Sequence, residues 1–528
     1  MLTQSQLKAF CAQALRRASA AQGVLEAEVY ASDNAYRAAR LCYSSHIPCN
    51  GLEEPKSVDF GGYSVRVAVG TGKGLRVGVA YESGFDLAGV DAVVSRASAV
   101  AVEDKEFQCL PKRDWEADKG LPASGRPYPA VSEKELVASG WRVIDAVLGR
   151  LTGSKDLART ALSRTNGWSG LGIIVSGDVS VRHDRAALAS TALPEAVSDE
   201  SFNCRAIATV MIESLDAKGS GFEITDDVAK VGAEAGADAA ASALASARGE
   251  EMPSGRYPVV LGRFAVKDLM ENLVLPSVDA TAFYAGVSAF MGKAGKRVAV
   301  PALSIYDDSA GTGPQSPKGA SGRGFAYKAA LTDEGLPVGR TDLVTKGVLT
   351  GLLASDYETR RLLASPKSKQ NLGLAPERFR EGLVPRNGFR VGDMGRRCYD
   401  TLPAPMPTNT VVQGSPASRT SDLVKKIGDG VYIGRIWYTY AVNGLPAGDF
   451  SSTVVADSHI VKNGRIVKAL KPNSVRINEN IRTVLNGIVA FGKATLPVQG
   501  WYTGFVLYTP EIAVKSMRLD RVCAGMSE

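Results

Sequence analysis

Apolar and polar residues alternate from Tyr63 to Val69 and again from Leu75 to Tyr81, with Gly70-Thr71-Gly72-Lys73-Gly74 between them. A period of two with glycines at the turn predicts a β-hairpin. Segments 171–182 and 202–214 also read as strands. Between these stretches the period lengthens. Leu2, Leu7, Phe10, Cys11 and Leu15 recur at helical spacing with Gln, Lys and Arg between them, which predicts an amphipathic helix rather than an export signal. A helix is expected after Asp86, through Val90, Val93, Val94 and Ala97. Another is expected after Ser132, where Ser132 and Glu135 make a capping-box pattern ahead of Leu136, Val137 and Trp141. An Ala-rich helix is expected from about Asp226 to Ala247. Residues 1–250 thus read as an α/β domain.

A boundary is placed at Gly249-Glu250-Glu251-Met252-Pro253-Ser254-Gly255, beyond which strand patterns dominate. Tyr257 to Leu261 reads as a buried strand and Phe264 to Leu275 as a helix. Hairpins are expected at 341–354 and 451–468, the second turning at Asn463-Gly464. Residues 309–324 are too rich in glycine, serine and proline to pack a core and predict a mobile loop, either a lid or an insertion. Pro403, Pro405 and Pro407 mark an extended connector. The expected fold class is α+β, with residues 251–528 forming a mostly antiparallel, barrel-like β domain.

Composition narrows the function classes. The 528 residues are 45% hydrophobic and 22% charged, enough to bury a core. Lys and Arg exceed Asp and Glu by 62 − 55 = 7, and the basic residues are interspersed rather than clustered, which argues against a nucleic-acid partner. No apolar run is long enough to span a membrane. Seven cysteines without Cys-x-x-Cys spacing do not make a disulfide framework, and the expected location is cytoplasmic.

The chemistry-bearing residues are sparse. His46, His183 and His459 are the three histidines, too far apart for a helical zinc motif. Cys42, His46 and Cys49 offer three metal-type side chains, but a structural zinc site needs a fourth, so packing at a strand edge is the favoured reading. The glycine run at 70–74 lacks the spacing of a phosphate loop, and Gly286-Val287-Ser288-Ala289-Phe290 fails the nucleophile-elbow pattern at its last position. Asp307-Asp308 and Asp333-Glu334 are adjacent carboxylates. Neighbours on a strand point to opposite faces, so neither pair is by itself an acid/base couple.

The order of several short stretches is more telling. Gly255-Arg256-Tyr257-Pro258-Val259-Val260-Leu261, Gly286-Val287-Ser288, Leu303-Ser304-Ile305-Tyr306-Asp307-Asp308, Asp333-Glu334-Gly335-Leu336-Pro337, Lys346-Gly347-Val348-Leu349, Gly448-Asp449-Phe450-Ser451 and Val461-Lys462-Asn463-Gly464-Arg465-Ile466 together resemble the TldD/PmbA family. Gly62-Tyr63-Ser64-Val65-Arg66-Val67 extends the likeness more loosely into the first half. The resemblance implies a two-domain subunit that pairs with another to enclose a peptide-cleaving cleft. In TldD-type members a His-Glu-x-x-x-His helix and a late cysteine bind the catalytic metal.

This chain departs from that pattern. Met270 and Leu275 stand at the histidine positions around Glu271, and Phe491 stands near the place of the cysteine. Thioether, isobutyl and phenyl groups do not hold a divalent first-row cation. The resemblance therefore implies a TldE/PmbA-type subunit with no metal or other cofactor of its own, zinc being expected in a TldD-like partner, and with no catalytic residues. Glu271, Asp333, Glu334, Gly335, Gly448, Asp449, Phe450 and Ser451 are the candidates for shaping a peptide cleft. The alternative is a stand-alone peptide-binding or natural-product tailoring protein that has lost hydrolase activity.

Overall fold

The computed structural model describes residues 1–47, 51–71, 74–114, 128, 130–310, 327–392, 395–500 and 505–522. Most of the expected loop at 309–324, and Cys49, lie outside the described residues.

The first half is one seven-stranded sheet with helices on it. In chain order these elements are α1 (Gln4–Ala20), β1 (Val24–Ser44), β2 (Lys56–Thr71), β3 (Gly74–Ser83), α2 (Val90–Ala99), β4 (Val102–Glu103), α3 (Glu133–Thr152), α4 (Lys155–Leu162), β5 (Ile173–Ser190), β6 (Val197–Ile212), β7 (Ala217–Thr225) and α5 (Ala233–Ala245). The strand order is β4-β3-β2-β1-β5-β6-β7, antiparallel throughout. The capping box at Ser132 and Glu135 is formed, fixing the start of α3. The Ala-rich helix is shorter than its composition suggested: β7 runs on to Thr225, and the chain turns at Gly232, φ +122°, before α5 begins. Small side chains let α5 lie close, and a Cβ at Gly221 would stand 1.9 Å from the Ala235 carbonyl oxygen.

In the second half, β8 (Gly255–Leu261) leads into α6 (Arg263–Leu269). β8 pairs in parallel with strand Gly430–Ala441 and antiparallel with strand Ile512–Arg521. Gly430–Ala441 pairs with Asp449–Lys462, which pairs with Val475–Asn480, which pairs with Ile512–Arg521. Five strands therefore close on themselves as a barrel, and closure removes the open edges that such a sheet would otherwise present. Ile436, Val454, Ile477, Val514 and Leu519 are buried in its core together with Leu269 and Leu273 from the helical segment. The hairpin at Asn463-Gly464 forms as expected, Lys462 pairing with Arg465. A second sheet places Leu303–Asp308 between Arg340–Thr345 and Asn409–Gly414.

The two halves meet across a seam of buried charge. Arg390 and Arg397 are among the largest fully buried side chains of the protein. Arg390 donates to Glu28 Oε1 at 2.9 Å and to Ser64 Oγ at 3.1 Å, and its guanidinium lies 4.2 Å from the centroid of the Tyr30 ring. Glu28 is also paired with Arg66 at 2.8 Å. Arg397 donates to Asp199 at 2.5 Å and stands 3.4 Å from Asp333 Oδ1. Asp333 Oδ2 accepts the Arg390 backbone N–H at 2.9 Å. Removing one member leaves the others charged in a dry place, which is the expensive way to break such a network. Arg390→Ala is expected to cost about 3–5 kcal/mol, seen as a lowered midpoint in urea unfolding.

Glu334 follows the seam. Its carboxylate accepts the Asp356 backbone N–H at 3.0 Å. Burial, and then the neighbouring Asp356 carboxylate, push its pKa up to about 8. A carboxyl that binds its proton more tightly folded than unfolded contributes most below its unfolded pKa, and that contribution is lost as pH rises through the folded value. Stability is thus expected to decline from about pH 4.5 to 8 through this group, and Glu334→Gln should flatten that limb of a plot of melting temperature against pH.

Candidate functional site

A cleft of about 670 Å³ lies between the two halves. One wall is the face of β5, β6 and β7, including Asp178, Arg205, Lys218 and Phe222. The other is α6 with strand Gly430–Ala441, including Phe264, Lys267, Arg435 and Trp437.

The second wall is positioned by two glycines. β8 ends where the Gly262 N–H donates to the Ile433 carbonyl at 2.8 Å, and α6 starts at the next residue. A Cβ on Gly262 would stand 2.9 Å from the Gly434 Cα. A Cβ on Gly434 would stand 2.2 Å from the Asp457 carbonyl oxygen. The backbones therefore touch, and α6 is held against the strand that carries Arg435. Gly434→Ala would force the strands apart, with an expected loss of about 1–3 kcal/mol, read as a lowered melting temperature by differential scanning calorimetry.

From this start α6 sends Ala265, Val266 and Leu269 into the core, while Phe264, Lys267 and Asp268 line the cleft. Lys267 Nζ lies 2.7 Å from Asp268 Oδ1 and 2.7 Å from Glu271 Oε2. Burial works against the ammonium charge, but the two carboxylates outweigh it and hold the Lys267 pKa above its ordinary value. Burial raises that of Asp268 against the pull of Lys267. The Phe264 ring lies between two guanidinium groups, Arg263 at 5.1 Å and Arg435 at 5.3 Å from its centroid. Arg263 is neutralised by Asp238 on α5 at 2.5 Å. Burial lowers the Arg435 pKa against the charges of Asp457 and Asp268.

Asp457 is unusual on its own account. It sits in a strand at φ +52°, and burial pushes its carboxyl pKa up to about 6.

The helix expected from Phe264 to Leu275 continues past α6 with a change of pitch. Met270–Val274 is a π-helical turn, and the Leu275 N–H donates to the Met270 carbonyl. On an α-helix, residues five apart point about 140° away from each other. A π turn closes over five residues and brings them onto one side. Met270 and Leu275 are thus stacked, and both are buried in the apolar core. Phe491 is buried in that core as well, on strand Ile488–Gly492, where it fills the space a Cβ on Gly414 would need.

The other sequence candidates lie elsewhere. Asp333, Glu334 and Gly335 form a turn in the seam, closed by the Gly335 N–H on the Thr332 carbonyl at 3.1 Å, and are buried rather than open to the cleft. Gly448, at φ +77°, precedes strand Asp449–Lys462. Asp449 is half-buried and accepts from Asn480 at 2.8 Å and Asn443 at 3.2 Å, bonds that lower its pKa. Phe450 and Ser451 are buried on the strand. None of these lines the cleft. Arg435 and Lys267, which do, were not singled out from the sequence: one cation among 62 gives no signal until the fold places it.

Among the described residues no three His, Cys, Asp or Glu side chains converge as metal ligands would. His46 lies 3.6 Å from Glu213 at the surface.

Comparison with known proteins agrees with this architecture. Residues 254–521 match the family model for the PmbA/TldA metallopeptidase C-terminal domain. Over 222 residues the chain is 25% identical to the metalloprotease TldD homolog of Buchnera aphidicola, a match covering 42% of this chain and 38% of that relative's length. The fold resembles that of TldE from Thermococcus kodakarensis, with TM-score 0.73 and 13% identity over 97% of this chain and 100% of the other. It also resembles that of a candidate modulator of a DNA gyrase from Thermotoga maritima, with TM-score 0.65 and 19% identity over 98% and 100%. With just over half its length matched by the family model, the chain belongs to the PmbA/TldD family.

Proposed function

We propose that this chain is the metal-free, non-catalytic subunit of a heteromeric metallopeptidase, forming part of the wall of a peptide cleft whose metal is held by a TldD-like partner. The observation that carries this reading is the π turn. Its geometry sets two side chains five residues apart side by side, as a pair of metal ligands would require. Here the pair is Met270 and Leu275, packed in hydrocarbon. The remaining acid of the segment, Glu271, is engaged by Lys267 rather than facing a water that it could deprotonate.

These residues do not fit a catalytic divalent metal, and no step is assigned to one in this chain. What the chain supplies is a cleft with cationic and aromatic groups on its walls. A peptide held there stays extended and dry on one side, while the reacting groups come from the partner.

Three preparations test this: the purified chain, a TldD-like partner, and the two mixed. Metal content is measured by elemental analysis and cleavage is followed on an unstructured peptide. The chain alone is expected to retain no stoichiometric zinc after dialysis and to cut nothing, while the mixture cuts faster than the partner alone. About one tightly held metal per chain, or cleavage by the isolated chain, would overturn the reading.

A further inference from the structure

Arg435 has an environment that the fold does not complete. It lines the cleft and rests on the Phe264 ring, yet among the described residues its guanidinium makes no hydrogen bond and no ion pair. Its electrostatic neighbours are Asp457 and Asp268, and neither forms an ion pair with it. Asp268 is held by Lys267 at 2.7 Å, and Asp457, the residue after Arg435's ladder partner Ala456, takes a left-handed backbone conformation. A guanidinium presents a planar fork of donors that matches a carboxylate in two parallel hydrogen bonds. Left unmatched in a partly dry cleft, it is a recognition element awaiting an anion.

The strand that carries it says what kind of anion. β8 pairs with Gly430–Ala441 only at Val431, Tyr432 and Ile433. From Arg435 onward the described pairings on that strand are all with Asp449–Lys462, on its other side. Trp437 and Tyr438 also line the cleft, and Tyr438, at φ +54°, is 73% exposed. An extended chain laid along this edge toward the barrel meets the end of β8 and the contact of Gly262 with Gly434, and it can go no further. A chain ending there would have its last residue beside Arg435, within reach of Phe264 and Trp437, which line the same cleft.

We infer that Arg435 and the aromatic groups around it bind the terminal carboxylate of an extended peptide, so that the cleft receives peptides by their C-terminal end. This inference rests on the peptide-holding role proposed above and assigns that role a polarity. The neighbouring Lys267 is committed to its two carboxylates.

The test uses the full chain and an acetylated hexapeptide ending in Phe, prepared as the free acid, as the C-terminal amide, and as an amide with Glu at the penultimate position. Affinities are measured by isothermal titration calorimetry. The free acid is expected to bind about tenfold or more tightly than the plain amide, the ratio that a charge-assisted pair supports. Arg435→Gln should erase that ratio with an unchanged circular dichroism melting curve, and Arg435→Lys should retain part of it. Equal binding of acid and amide would overturn the inference while leaving the peptide-holding role standing, as would a ratio that survives Arg435→Gln. Full recovery by the Glu-bearing amide would overturn the terminal assignment in favour of side-chain acids. If neither form binds at millimolar concentration, the inference and the role beneath it fall together. Should Arg435→Gln not fold, the acid-to-amide ratio in the unaltered chain and in Arg435→Lys decides the matter.

Discussion

The fully buried guanidinium groups of Arg390 and Arg397 fix the relation of the two halves, and the cleft depends on that relation. Both arginines belong to the second half, and their counter-charges Glu28 and Asp199 belong to the sheet of the first. An apolar seam of equal area would tolerate sliding. A network of directed bonds does not, because each small displacement strands a charge away from water. The cleft inherits this constraint. Its walls come one from each half, so their spacing follows from the seam together with the Arg263–Asp238 pair that joins α6 to α5.

Within that frame the chemistry of the cleft turns on a short helical segment. α6 and the π turn after it share one register, so the side chains that face the cleft are Phe264, Lys267 and Asp268, whereas Met270 and Leu275 face the core. A π turn is a strained element, and it persists only where the surroundings hold it. Here it is held by burial: Met270, Leu273, Val274 and Leu275 are all in the apolar cluster. The segment therefore keeps an arrangement suited to ligation while carrying side chains that can only pack. Lys267 completes the picture by giving the two carboxylates of the segment an internal cation.

Much of the fold was legible in the sequence where local patterning decides it. The hairpin around residues 70–74, the capping box at Ser132 and the turn at Asn463-Gly464 all lie where period and turn chemistry put them. Closure of the barrel was not legible in the same way, because the pairing of Val259 with Val514 joins residues remote in sequence. The departure at Met270 and Leu275 could be read from the residue types, but the π turn that makes it intelligible could not. Asp333 and Glu334 attracted attention as acids beside a glycine. Their burial against Arg397 and Asp356 follows from tertiary contacts that no local pattern announces. Arg435 is the clearest case, since its significance lies in what the fold leaves undone around it.

Closure of the five-stranded barrel has a consequence for how the chain is made. The strand that completes the ring, Ile512–Arg521, pairs with both β8 and Val475–Asn480. During synthesis β8 emerges early in the second half and must wait through the whole of that half for this partner. Until then one of its edges is open, and an open edge invites pairing with other chains. Contacts so distant in sequence also close slowly, because the loop entropy must be lost before the pairing compensates it. The nascent second half is therefore the portion most in need of chaperone protection, whereas the first-half sheet, complete by Thr225, can form while the ribosome is still translating the rest.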